Sequence, residues 1–304
     1  MTALRPLLAE YLETRRALGF KTERTTWLLS SFVSFVEAHR GARITTEHAL
    51  AWATQPAGAH PGWWAEKLST VRVFARHVHL IDPRHEIPSV DLLPARIPRS
   101  TPVLYSPAEI LRLLQATQSM PSTFRRATHE TLFGLLAATG MRVGEVIRLD
   151  SRDVDWGPQL LVIRESKFRH SREVVLHATV VRALRRYASE RDRVHAPPRS
   201  PSFFVSLTGT RLVYNNVHHT FTTLLRRAGI TRARARIHDL RHTFAVQTLL
   251  RWHREGADVD ARMPRLSTYL GHRNPSSTYW YLTAAPELMA LVGRKLQRAL
   301  GELP

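Results

Sequence analysis

The chain has 304 residues, enough for two domains with separate cores, and its 44 basic against 25 acidic residues leave a formal net charge of +19 and a pI of about 11.4. Such an excess points to a polyanionic partner, nucleic acid before an anionic membrane surface, because basic side chains that neutralise phosphates release condensed counterions. The absence of cysteine excludes disulfides, thiol nucleophiles and cysteine metal sites and fits a reducing cytoplasm, and the longest apolar run, near Phe133 to Met141, is far short of the roughly 20 residues a membrane span needs.

At the N-terminus Arg5 and Glu10 interrupt what would be an apolar signal core, so no secretory peptide is expected. Apolar residues at helical spacing then predict four helices, about Ala3 to Leu18, Glu23 to His39, Thr46 to Ala53 and Gly62 to Leu80. Trp27, Leu28, Phe32, Phe35 and Val36 carry the pattern in the second, and Trp64, Leu68, Val71, Ala75 and Val78 in the fourth. Residues 1–81 are read as a compact helical domain. Residues 82–104 follow as a linker, because Pro83, Pro88, Pro94, Pro98 and Pro102, with Arg84, Arg96 and Arg99 between them, cannot continue a helix and stiffen an extended chain.

A second domain, 105–304, opens on Ser106, Pro107 and Glu109, which supply a capping side chain, a proline at the first helical position and an acid in the first turn. Helices are predicted at about Pro107 to Thr117, Phe124 to Ala138, Val143 to Leu149, Ala178 to Arg191, Val213 to Ala228, His238 to Arg254 and Met263 to Leu270. Short β-branched or aromatic runs at Leu160 to Arg164, Glu173 to Leu176 and Ser202 to Val205 predict strands, the first two joined as a hairpin through Ser166 to Arg172. The fold class is therefore mainly α with a small antiparallel β-sheet in the second domain.

Several fragments carry chemistry. In Ile237-His238-Asp239-Leu240-Arg241-His242, the side chains of His238, Arg241 and His242 share one face near a helix N-terminus, where free backbone N–H groups favour an anion. His238 and His242 also have the i, i+4 spacing of a zinc pair, but a neighbouring guanidinium repels a cation and no cysteine is present. Upstream, Thr139-Gly140-Met141-Arg142-Val143-Gly144-Glu145 presents an arginine at the head of a helix; downstream stand Leu270-Gly271-His272 and, nine residues later, Tyr281. Asp150, Asp153 and Asp155 suggest a metal nuclease on first sight, yet Arg152 lies among them and a polar strand entry explains them better. Only four of the 44 basic residues are lysine, Lys21, Lys67, Lys167 and Lys295, which leaves 44 − 4 = 40 arginines and makes Lys167, alone between Lys67 and Lys295, conspicuous.

Arg142 in its Thr-Gly-x-Arg-x-Gly-Glu setting, His238-x-x-Arg241, Leu-Gly-His272 and Tyr281, in that order in a basic chain, resemble the tyrosine recombinase family, also called the phage integrase family. The resemblance covers about residues 105–290; the first domain is similar to the family's SAM-like core-binding module only in its helical character and position. It implies a two-domain DNA clamp with a catalytic set of Arg142, Lys167, His238, Arg241, His272 and Tyr281. Cleaving a phosphodiester needs a nucleophile, stabilisation of charge on the non-bridging oxygens and a proton for the departing sugar oxygen. Tyr281 would be the nucleophile, with His238 assisting its deprotonation, since a phenol of pKa roughly 10 is otherwise feeble. Arg142 and Arg241 would grip the phosphate through paired donors, and His272 would add another. Lys167 would protonate the leaving 5′ oxygen, which an arginine of pKa above about 12 hardly can. The family's usual Gly-Lys-Gly is here Ser166-Lys167-Phe168. Glu145 would orient Arg142 or favour the start of its helix. Tyr279 is the rival nucleophile, disfavoured by its spacing from His272. Arg226, Arg227, Arg232, Arg234, Arg236 and Arg273 are candidate DNA contacts, or a solvated face; the His218-His219 pair reads the same way.

The implied activity is cleavage and rejoining of duplex DNA at inverted-repeat sites, without ATP, metal or other cofactor, by a homo-tetramer or a hetero-tetramer with a related recombinase. A cytoplasmic, nucleoid-associated protein of a prokaryotic mobile element is expected, with no membrane partner. A C-terminal helix striped by Leu288, Leu291, Val292, Leu296 and Leu300 would dock on a neighbouring protomer or on its own domain. A type IB topoisomerase-like enzyme, a catalytically silent DNA-binding accessory protein and a metal-dependent nuclease are the alternatives.

Overall fold

The computed structural model describes residues 4–93, 102–164, 171–233, 235–272, 274, 276–284, 288–290, 293 and 297. Its packing divides the chain into two compact units, Met1–Ser100 and Thr101–Pro304.

In the first unit the predicted periodicity becomes four helices, α1 (Leu4–Ala17), α2 (Glu23–Ala38), α3 (Thr46–Ala53) and α4 (Pro61–Ile81). Their apolar stripes meet in one core, with Leu29, Phe32, Val36, Leu68, Val71 and Phe74 fully buried. Lys67 is buried too: its ammonium lies 4.0 Å from the centre of the Trp52 ring and donates to the carbonyls of Trp52 (2.6 Å) and Gln55 (2.9 Å) at the end of α3. The first part of the proline-rich stretch is fastened to this unit. The Ile44 N–H donates to Nδ1 of His85 (3.0 Å), Glu86 N–H to the Ile44 carbonyl (2.9 Å), and Arg72 to the carbonyls of Pro88 and Ser89 (both 2.7 Å). Pro94 and Pro98 lie outside the described residues.

The second unit is α5 (Pro107–Ala116), α6 (Thr123–Thr139), α7 (Val143–Arg148), β1 (Val154–Asp155), β2 (Leu160–Ile163), β3 (Arg172–Val175), α8 (Ala178–Val194), α9 (Tyr214–Arg227), α10 (Asp239–Arg254), α11 (Val259–Leu270) and α12 (Ser276–Ala284). The chain is thus mainly α with one small antiparallel sheet of order β1-β2-β3, in which Leu161 faces Val174. The predicted start of α5 is present, and Ser106 and Glu109 go further and form a capping box, each side chain accepting the other's backbone N–H.

Three expectations are corrected. Ser202 to Val205 is not a strand: it makes only isolated bridges, Asp150 with Ser202 and Val205 with Arg211. Phe203 and Phe204 are held there by burial against Tyr187 rather than by a ladder. Helix α11 starts at Val259, four residues before the predicted Met263, because Asp258 caps it by accepting from Ala261 N–H (3.0 Å). Helix α12, which carries Tyr281, was not among the predicted helices; its short Ser-Ser-Thr-Tyr-Trp-Tyr run mixes polar and aromatic residues without a helical stripe.

Two apolar clusters sit side by side within this unit. One gathers Phe133, Leu136, Val146, Leu161, Val174, Phe204, Phe221 and Leu240; the other gathers Val246, Leu249, Met263, Leu266, Leu270, Tyr281 and Leu288. Helix α10 runs from the first into the second, so its N-terminal turn lies where they adjoin. Of the C-terminal stripe, Leu288 packs in its own unit; Leu291, Val292, Leu296 and Leu300 lie outside the described residues.

Candidate active site

Two left-handed glycines build the site. Gly140 ends α6 at φ +63°, and a Cβ there would stand 2.6 Å from the Phe244 ring, so the turn admits only glycine; it delivers Arg142 to the N-cap of α7. Gly271 ends α11 at φ +67° and exposes the carbonyls of Leu270 and Gly271 as acceptors. Arg142 donates through Nη2 to the Gly271 carbonyl (2.8 Å), and Arg241 through Nη2 to the Leu270 carbonyl (2.7 Å) and through Nη1 to that of Gly140 (2.9 Å). The two guanidiniums are therefore tied to adjacent peptide groups although their residues are far apart in sequence. Arg241 is 2% exposed, and burial, then repulsion from Arg142, lowers its pKa to about 10, with Tyr281 and Glu145 opposing the shift.

Glu145 compensates this concentration of positive charge. Its carboxylate accepts from Arg142 Nη1 (2.8 Å) and from Arg142 N–H (3.0 Å), and it forms a paired contact with Arg172. Burial would raise its pKa, but the bonds and charge of Arg172 and then Arg142 win and hold it at about 2. Arg172 also donates through Nε to the Tyr269 carbonyl (2.9 Å).

His272 follows Gly271, and its Nδ1 is 2.7 Å from Oγ1 of the buried Thr278. Its pKa falls to about 3, chiefly by burial and then by Arg241, Arg142, His238 and Arg172, so the ring is neutral at pH 7. His238, at the N-cap of α10, keeps an edge open to solvent, yet the protein atoms crowded around it, with His242, Arg241 and Arg142, lower its pKa to about 4. Tyr281 is 2% exposed and stacks on His272, ring centres 6.1 Å apart, whereas Tyr279, two residues earlier, is 43% exposed on another face of α12. The phenol oxygen of Tyr281 lies 3.2 Å from Nδ1 of His242.

The structure thus brings Arg142, Glu145, His238, Arg241, His272 and Tyr281 together. Lys167 lies outside the described residues, as do Arg234 and Arg273. Arg232 is paired with Glu109 (2.6 Å), Arg236 with Asp239 (3.2 Å), and Arg227 donates to Ser119 Oγ (2.7 Å); Arg226 is exposed beside Thr223. Asp150 and Asp153 are bound by Arg211 and Arg164 (both 2.6 Å), and among the described residues no His, Asp and Glu cluster is placed to hold a metal ion. Arg172, His242 and Thr278 were not expected at the site. His242 had a signal in its place on the helix face of His238 and Arg241, although no role was given to it; Arg172 and Thr278 belong to no motif.

Such a cluster offers fixed cationic and neutral hydrogen-bond donors around one phenol, the requirement for stabilising a phosphate while an oxygen attacks it. The phage integrase family matches residues 105–287. The chain is 44% identical over 98% of its length to y4rB of Sinorhizobium fredii, provisionally named an integrase/recombinase, and covers 98% of that protein. It is 30% identical to the tyrosine recombinase XerD of Rhizobium meliloti, covering 71% of this chain and 68% of that one. Among solved structures it is similar to the Tn1549 transposon integrase in complex with transposon right end DNA, with TM-score 0.68, 16% identity and coverage of 96% and 98%.

Proposed function

The chain belongs to the phage integrase family, and on that basis we propose that it is a site-specific DNA recombinase that cuts and rejoins duplex DNA through a 3′-phosphotyrosine on Tyr281. The observation that carries this reading is the fastening of Arg142 and Arg241 to the neighbouring carbonyls of Gly271 and Leu270, beside His272 and Tyr281. Two guanidiniums in that position grip the non-bridging oxygens of one phosphate, and the neutral His272, its Nδ1 engaged by Thr278, turns Nε2 to the same group. Tyr281 attacks phosphorus, the 5′ oxygen leaves with a proton from Lys167, and a 5′ hydroxyl of the partner strand reverses the step. The phosphotyrosine conserves the bond energy, so neither ATP nor a metal takes part.

The similarity to y4rB and to the Tn1549 transposon integrase supports a place in a mobile element. In this reading both units bind duplex DNA, residues 1–81 acting as the core-binding domain. Because recombination cuts two duplexes twice each, four protomers assemble on inverted-repeat sites.

The test is to select random-sequence duplexes on the immobilised protein, resynthesise them with a nick beside the scissile phosphate, and look for a detergent-stable protein–DNA adduct. We expect the wild type to form it and Tyr281→Phe to bind the same DNA without forming it. An adduct that persists in Tyr281→Phe overturns the assignment; relaxation of supercoiled plasmid lacking the selected site points to a topoisomerase instead.

A further inference from the structure

We propose that His242, rather than His238, is the group that takes the proton from Tyr281, with the charge of Asp239 favouring the required tautomer; this rests on the recombinase reading above. Nδ1 of His242 is 3.2 Å from the phenol oxygen, within hydrogen-bond reach, and the two rings cross at 61° with centres 5.5 Å apart. On its other side, Nε2 of His242 is 4.0 Å from Oδ1 of Asp239, beyond a hydrogen bond but close enough for charge to act. Asp239 is fully buried and is oriented by Arg236, whose backbone N–H (2.7 Å) and Nη2 (3.2 Å) donate to it. A carboxylate facing Nε2 favours the ring proton there, which leaves the Nδ1 lone pair to accept from the phenol, and it favours the imidazolium that forms later.

The sequence pattern singles out His238 for this role, and His242 sits one helical turn beyond it. In the fold they differ: His238 caps α10 with an edge open to solvent, while His242 is 9% exposed and enclosed by Trp280 and Tyr281 of α12 (ring centres 5.5 Å from each) and by the ring of His238 (4.7 Å). Enclosure keeps water from competing for the phenol proton.

The step balances as follows. The Tyr281 O–H proton moves to His242 Nδ1 as the oxygen lone pair forms the bond to phosphorus. The bond from phosphorus to the 5′ oxygen breaks, and that oxygen takes a proton from the general acid. On rejoining, the incoming 5′ hydroxyl returns its proton to that acid, Tyr281 departs, and His242 gives back the proton it holds.

The experiment measures single-turnover adduct formation on the selected duplex, made once with the natural 5′ oxygen and once with sulfur bridging at that position. A sulfur leaving group needs no proton, so defects in leaving-group protonation vanish with it and defects in nucleophile activation remain. We expect His242→Asn, which can accept a hydrogen bond but cannot hold the proton, to slow both substrates about 100-fold with DNA affinity unchanged. We also expect imidazole to restore His242→Ala by about ten-fold, a response that a merely structural residue would not give. His242→Asn within about three-fold of wild type on the sulfur substrate overturns the proposal and leaves the recombinase reading standing. Failure of imidazole to rescue, with loss of melting temperature in both variants, overturns it too and makes His242 an anchor for α12. If the wild type forms no adduct with either substrate, the recombinase reading falls and this proposal with it.

Discussion

Arg172 and Glu145 meet through two parallel hydrogen bonds, Nη1 to Oε1 at 3.0 Å and Nη2 to Oε2 at 2.7 Å, and this pair joins the first residue of β3 to the helix that Arg142 caps. It is a fixed link between the β2–β3 pair, whose connection contains Lys167, and the guanidinium cluster.

Arg172→Lys follows from that geometry. One ammonium cannot span both oxygens of Glu145 and also reach the Tyr269 carbonyl, so Glu145 stays paired with Arg142 but is held less rigidly, and the Arg142 guanidinium with it. We expect adduct formation to fall by about ten-fold or more while DNA affinity changes little, read by single-turnover cleavage against a binding titration. Unchanged cleavage would falsify the link.

Stability should fall with acid in two pH windows. Glu145 has its pKa depressed to about 2, so its contribution is present above the unfolded value near 4.3 and is lost as pH falls toward 2; the shift corresponds to about 3 kcal/mol. His238 and His272, depressed to about 4 and about 3, act earlier. The unfolded chain gains protons from about pH 6.5 that the folded chain refuses, so stability declines below that pH. Urea midpoints measured across pH check this: Glu145→Gln should start less stable at pH 7 and lose the slope below about pH 4.5. Parallel curves for wild type and variant at every pH contradict it.

Bound phosphate should lessen the depression of His272. Burial, its main cause, remains, but a diester anion held by Arg142 and Arg241 offsets the added repulsion from those two arginines, so the imidazole should titrate higher in the DNA complex than in the free protein. Nuclear magnetic resonance of the ring nitrogens reads the shift directly, and an unmoved titration would place the phosphate elsewhere.

Gly271→Ala tests the turn. Its φ of +67° strains any side chain, and the added Cβ would lie 2.8 Å from Nη1 of Arg172. We expect about 1–2 kcal/mol of lost stability from the backbone, together with impaired cleavage as Arg172 is displaced from Glu145. Thermal melting and the adduct assay separate the two effects.

Thr278→Val removes the hydroxyl 2.7 Å from His272 Nδ1 while keeping its shape. Loss of about 1 kcal/mol and a slower cleavage step are expected, because the ring is then free to turn Nε2 away from the phosphate. Full activity would show that packing against Tyr281 suffices to orient the ring.

How much was legible in advance follows from how local each cause is. Helices α1 to α10 announced themselves through apolar spacing, and the start of α5 through Ser106, Pro107 and Glu109. The cluster residues Arg142, His238, Arg241, His272 and Tyr281 were visible as types at characteristic spacing, and net charge pointed to a polyanion. Only the tertiary structure decided which groups touch. Arg142 reaches the Gly271 carbonyl across 129 positions, Arg241 that of Gly140 across 101, Arg172 Glu145 across 27, and Tyr281 His242 across 39. Those contacts depend on how α6, α10, α11 and α12 pack, and packing energy is a sum over the whole core that no short window of sequence contains. For the same reason Phe203 and Phe204, strand-forming by type, became core residues without a ladder.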